Sequence, residues 1–202
     1  MYTNIVGTTE RLTMNILYVH GFGSSFDPTQ EKIQLLETLG TVYGVNIDYT
    51  KGYSSASGAI YDAVMGNQID LIVGTSMGGY MSAMMGEYMG VPFVAMNPAI
   101  NPSENLQKWT GHFVDHNGAD RFLSEGCAAG YPEITKKGAG LILLDLADEV
   151  IPARATEALL QEAFNVHTFS GGGHRFTHTK IALPMIEEHY NNASTVYGLN
   201  KE

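Results

Sequence analysis

The sequence predicts an α/β fold, a three-layer α/β/α sandwich around a mostly parallel sheet of about six strands. Short apolar runs recur along the chain, several of them apolar at consecutive positions, as in strands that helices cover on both faces. Between them lie stretches of helical length, which supply the crossovers that parallel strands need. With 202 residues, 44% of them hydrophobic, the chain suits one well-buried core and is short for two, so a single domain over 1–202 is expected.

Taken in order, "NILYVH" (Asn15 to His20) is the first strand, and a helix over Thr29 to Leu39 follows, with Pro28 suited to its start and Gly40 to its end. "VYGVNID" (Val42 to Asp48) is the second strand and Ser57 to Asn67 the second helix. "LIVG" (Leu71 to Gly74) runs almost directly into a Met-rich helix, Met77 to Met89, closed by Gly90. Its methionines, Met77, Met81, Met84, Met85 and Met89, read mostly as core, with Met77 expected to line a site. After the strand "FVAM" (Phe93 to Met96) the rhythm breaks. Residues 103–140 are polar and punctuated by glycine where a single crossover would do, which predicts a short helical cap over the mouth of the sheet. "LILLD" (Leu141 to Asp145), a helix from Ala153 to Phe164 after Pro152, "VHTF" (Val166 to Phe169) and a helix from Thr177 to Tyr190 complete the alternation, and the tail beyond reads as loose. In such a sheet the working loops lie at the C-terminal ends of the strands.

Charge and composition narrow the function. A formal charge of −10 with no Lys/Arg cluster argues against nucleic acid and anionic lipid as partners. No stretch approaches the roughly 20 apolar residues of a membrane span, and the polar opening lacks a basic-then-apolar leader, which predicts a cytoplasmic protein. The single Cys127 has no internal disulfide partner and reads as an inert thiol. "HFVDHNGAD" sets His112, Asp115, His116 and Asp120 at spacings that suit a divalent ion on one helical face, but no further ligand cluster supports it, and a solvated cap helix is expected. "GTSMGG" lacks the Lys-Ser/Thr ending of a nucleotide loop. No metal and no cofactor are expected.

The chemistry gathers at four strand ends. A serine hydroxyl is a weak nucleophile unless it is held in the open beside a base, with donors aimed at the oxyanion that forms. Gly74, Ser76 and Gly78 form a G-x-S-x-G between a strand and a helix, where glycines on either side let the backbone fold sharply under the serine. After the first strand, "HGF" places His20 and Gly21 ahead of Phe22, and the N–H groups of Phe22 and Met77 are the expected oxyanion donors. His20 itself reads as a structural histidine that orients this loop. "DLADEVIP" offers Asp148 to orient an imidazole, with Asp145 and Glu149 as competitors. In "FSGGGHRFTH" the glycines make a turn that can deliver His174, with His178 as its competitor. The pocket that sets specificity is expected to come from the cap and from "TKGYSSASG".

These stretches, with "MNPAINPSENLQKWTG" and its Asn97-Pro98 pair, resemble the α/β-hydrolases and in particular the small bacterial YqiA-type esterases, from residue 16 to about 178. The resemblance implies Ser76 as nucleophile, Asp148 as orienting acid, His174 as base, and the Phe22 and Met77 backbone as oxyanion donors. It implies cleavage of small ester or thioester substrates through an acyl-enzyme. The alternative is a catalytically silent α/β-hydrolase scaffold that serves as a binding protein.

Overall fold

In the computed structural model, which describes residues 14–197, six parallel strands form one sheet in the order β2-β1-β3-β4-β7-β8. They are β1 (Met14–Val19), β2 (Gly40–Val45), β3 (Leu71–Thr75), β4 (Phe93–Met96), β7 (Gly140–Asp145) and β8 (Asn165–Phe169). A separate antiparallel pair, β5 (Gly111–Val114) and β6 (Asp120–Leu123), stands outside the sheet.

The consecutive apolar runs explain the layering. Along β1, Ile16 and Tyr18 point to one core while Leu17 and Val19 point to the other, and Val94/Met96 against Phe93/Ala95 on β4 divide the same way. One core is closed by α1 (Glu31–Leu36) and α7 (Thr179–Tyr197), through Ile33, Leu36, Ala182 and Ile186. The other is closed by α2 (Tyr53–Asn67), α3 (Met77–Met89) and α6 (Ala153–Leu160), through Ile60, Tyr80, Met81 and Leu160. Burial on both faces removes the need for polar alternation, so the strands read as unbroken apolar stretches.

Differences from the sequence reading fall at element ends and in the excursion. Helix α2 begins at Tyr53, ahead of the expected Ser57, because Ala56 packs one turn below Ile60 despite its serine-rich surroundings. Gly40 opens β2 instead of ending α1, and it lies so near Met14 that a Cβ there would come within 1.9 Å of the Met14 carbonyl oxygen. Helix α7 runs on to Tyr197 through the stretch expected to be loose, and residues 198–202 lie outside the described residues, as does the opening before Met14. Residues 103–140 hold the tail of α4 (Pro102–Asn105) and α5 (Glu125–Ala129), together with the unforeseen β5–β6 hairpin. His112, Asp115, His116 and Asp120 therefore do not share a helical face. They sit on and around the hairpin turn, where Asp115 accepts the N–H groups of Asn117 and Ala119 and pairs with Arg121. Among the described residues no group of three or more His, Cys, Asp or Glu is arranged to hold a metal ion.

Strand order fixes where a site can form. The chain leaves β1 for the edge strand β2 and returns to place β3 on the other side of β1, so the loops after β1 and β3 splay apart at a switch point. Helix α3 is pressed hard against this junction. A Cβ on Gly78 would fall 1.9 Å from the Val19 carbonyl oxygen, and one on Gly74 would fall 2.2 Å from the Gly78 oxygen. Gly78→Ala is expected to cost about 3 kcal/mol or more in urea unfolding, since backbone cannot yield to the methyl group. Gly58→Ala, in open space on α2, is expected to gain about 0.5–1 kcal/mol in the same measurement.

Candidate active site

Ser76 stands alone between the last residue of β3 and the first of α3, with φ 59° and ψ −123°. L-residues rarely adopt this conformation, and three backbone bonds hold it. The Ser76 N–H donates to the Met96 carbonyl at 3.0 Å, and the Ser76 carbonyl accepts from Tyr80 at 3.0 Å and Ala99 at 3.2 Å. The loop after β1 closes on the serine from the side: a Cβ on Gly21 would lie 3.4 Å from Ser76 Cβ and 3.8 Å from its Oγ. Among the described residues neither the Phe22 N–H nor the Met77 N–H has an acceptor. The Met77 side chain is buried in the core and does not line the cavity at the serine, contrary to expectation.

His20 is a bridge. Its Nδ1 pairs with the Gly21 carbonyl at 2.8 Å, and its Nε2 accepts the Ile47 N–H at 2.9 Å, so the ring is neutral with its proton on Nδ1. Burial holds its pKa below the usual 6.5, partly offset by the Gly21 carbonyl.

The histidine loop, residues 170–178, lies between β8 and α7. It delivers His174 so that Nε2 is 2.9 Å from Ser76 Oγ, while Nδ1 is 3.0 Å from both carboxylate oxygens of Asp148. The Asp148 side chain, 1% exposed, is fixed by the Val150 and Ile151 N–H groups at 2.8 and 2.9 Å. An acceptor-only carboxylate on Nδ1 keeps the ring proton there and leaves Nε2 free to accept from the serine hydroxyl.

The competing residues have other work. Asp145, fully buried, accepts the N–H groups of Gly173 (3.1 Å) and Thr177 (2.8 Å) and meets His178 Nδ1 at 2.6 Å. It braces the loop from beneath. Asn97 completes the brace from β4: its amide nitrogen donates to the Gly173 and His174 carbonyls, and its oxygen accepts the Asp145 N–H at 2.8 Å. Pro98 is buried beside it. Glu149 accepts the His174 N–H at 3.0 Å.

Ser76 and His174 open into a cavity of about 740 Å³ that runs between α1 and the start of α7. From the excursion only His116 and Asn117 reach it, and "TKGYSSASG" contributes nothing, against the expectation that both would shape it. Helix α1 contributes Glu31, Lys32 and Leu35 instead, which no local pattern marked out.

Solved structures of one superfamily share this arrangement of the sheet, and the chain is an α/β-hydrolase by fold. Est1E from Butyrivibrio proteoclasticus matches with a TM-score of 0.69 at 14% identity, over 91% of this chain and 89% of that one. A monoacylglycerol lipase from Paleococcus ferrophilus matches at 0.66 and 16%, over 89% and 95%. The mouse α/β hydrolase domain-containing protein 10 matches at 0.64 and 12%, over 88% and 90%. By sequence the chain belongs to UPF0227, an uncharacterised protein family whose model matches residues 15–190. UPF0227 proteins of Pasteurella multocida and Vibrio atlanticus are each 25% identical to it, over 85% and 80% of this chain and 97% and 90% of their own lengths.

Two neutral histidines give the fold a pH dependence. Burial lowers the pKa of His20 and of His189, so as pH falls below 6.5 the unfolded chain takes up protons before the folded one does. Stability present above that value is lost on acidification. Urea unfolding at a series of pH values is expected to show a free energy that falls from about pH 7 toward 5, with a shallower slope in His20→Asn.

Proposed function

We propose that this chain is a serine hydrolase that cleaves small carboxylic esters or thioesters through an acyl-enzyme. The observation that carries the reading is the continuous line of hydrogen bonds from Ser76 Oγ through the His174 ring to Asp148, at the wall of an open cavity. The mechanism follows from the positions of the groups. His174 Nε2 takes the proton of Ser76 Oγ as the oxygen attacks the substrate carbonyl. The negative charge that develops on the carbonyl oxygen is met by the N–H groups of Met77 and Phe22, and the first turn of α3 adds its positive end. The same histidine then passes its proton to the departing alcohol or thiol. Water, deprotonated by His174, attacks the acyl-enzyme and restores the serine. Asp148 fixes the tautomer throughout and stabilises the imidazolium. The excursion over residues 103–140 acts as a partial cap through its hairpin turn.

Two measurements test this. A fluorophosphonate probe is expected to label the native protein and not Ser76→Ala; labelling that survives the substitution would point to another nucleophile. With a short-chain nitrophenyl ester, His174→Ala is expected to lower kcat/KM by about 10³-fold or more. His178→Ala is expected to lose less than about tenfold, because His178 packs on Phe169 and braces Asp145. The reverse order would reassign the base.

A further inference from the structure

Helix α1 places one charged group, the half-buried Lys32, in the wall of this cavity. Lys32 Nζ donates to Thr75 Oγ1 at 2.9 Å and to the Arg175 carbonyl, so it bonds the residue before Ser76 and the residue after His174. Thr75 is 6% exposed and in turn meets the Tyr18 hydroxyl at 3.2 Å. Neutral groups could make these two bonds without the expense of desolvating an ammonium.

Among the described residues no carboxylate in contact offsets that expense. Among the described residues Lys32 forms no ion pair, and neither does the Arg175 guanidinium that lines the same cavity. Asp145 is the buried carboxylate of this region, and its oxygens are committed to Gly173, Thr177 and His178. Asp27 and Glu31 also line the cavity, as does Lys180, yet Asp27 is turned onto the N–H and hydroxyl of Thr29 and neither acid pairs with Lys32. Burial brings the Lys32 pKa down to about 7, partly offset by Asp145 and deepened by Arg175, as expected of an ammonium short of counter-charge.

We infer that the missing counter-charge belongs to the substrate: Lys32, with Arg175 at the rim, binds the free carboxylate of a monoester of a short dicarboxylic acid whose ester carbonyl lies at Ser76. The ammonium bonds the residue before Ser76 and the residue after His174 and lines the same cavity as both, which favours an acid of short chain. A single anionic group is also compatible with the chain's charge of −10, which salt screens beyond about 8–10 Å. The inference rests on the serine-hydrolase reading for the place of the ester, but its test does not depend on turnover.

Calorimetric titration of Ser76→Ala with monomethyl glutarate and with dimethyl glutarate separates charge from shape. The monoester is expected to bind at least about tenfold more tightly than the neutral diester. Adding Lys32→Gln, which keeps a hydrogen-bonding head but removes the charge, is expected to shrink that preference below about threefold. Should that variant fail to fold, Arg175→Gln at the exposed rim is expected to reduce the preference by about threefold. Equal affinities for the two esters, undetectable binding of the monoester at millimolar concentration, or a preference that survives both substitutions would overturn the inference. Each of these outcomes leaves the fluorophosphonate result standing, and a failure of labelling leaves the titration equally readable.

Discussion

The buried carboxylate of Asp145 is the constraint on which the rest of the site depends. It is the last residue of β7, it is wholly removed from water, and its oxygens accept from three points of the histidine loop. A buried carboxylate left without partners would cost several kcal/mol, so the loop must come down onto it. Asn97 couples the same loop to β4, in a left-handed backbone conformation with φ 44°. The position of His174 is thus set from below by two side chains at adjacent strand ends. The two aspartates divide the labour: Asp145 holds the loop, and Asp148 holds the ring.

At the other half of the site the burden falls on backbone. The turn at Ser76 is strained, and it persists because α3 is packed against β1 too closely for any side chain at Gly78. Helix packing fixes the elbow and carboxylate packing fixes the histidine, and the two meet at a single 2.9 Å contact between Nε2 and Oγ. Both supports lie outside the cavity, which leaves its walls on α1 free to differ in chemistry without disturbing Ser76 and His174.

Much of this was legible in the sequence because the signals were local. Runs such as "LIVG" and "FVAM" read as doubly covered strands, and the glycines around Ser76 and before His174 sat where chain direction has to change. The choice between Asp145 and Asp148 was not local. Both follow the same strand, and only the path of the histidine loop decides which oxygen meets which nitrogen. The hairpin was missed although its signal was present: Asn117-Gly118 between "HFV" and "RFL" is a turn dipeptide between short alternating segments, and the histidines and aspartates around it drew the reading toward a helix face. Lys32 was beyond reach for a different reason. A lysine beside Ile33 on an amphipathic helix reads as solvated surface, and nothing nearby in sequence reveals that Thr75 and Arg175 arrive over it.

The hairpin turn is fastened to the loop after β1 by the His116 N–H on the Gly23 carbonyl at 2.8 Å, and Phe22 stacks on Phe113 with ring centroids 5.2 Å apart. The hairpin and the loop that carries Phe22 therefore belong to one mechanical unit. A displacement of the hairpin would pull on the backbone at Phe22 and Gly23, and through Gly21 on the residue packed beside Ser76.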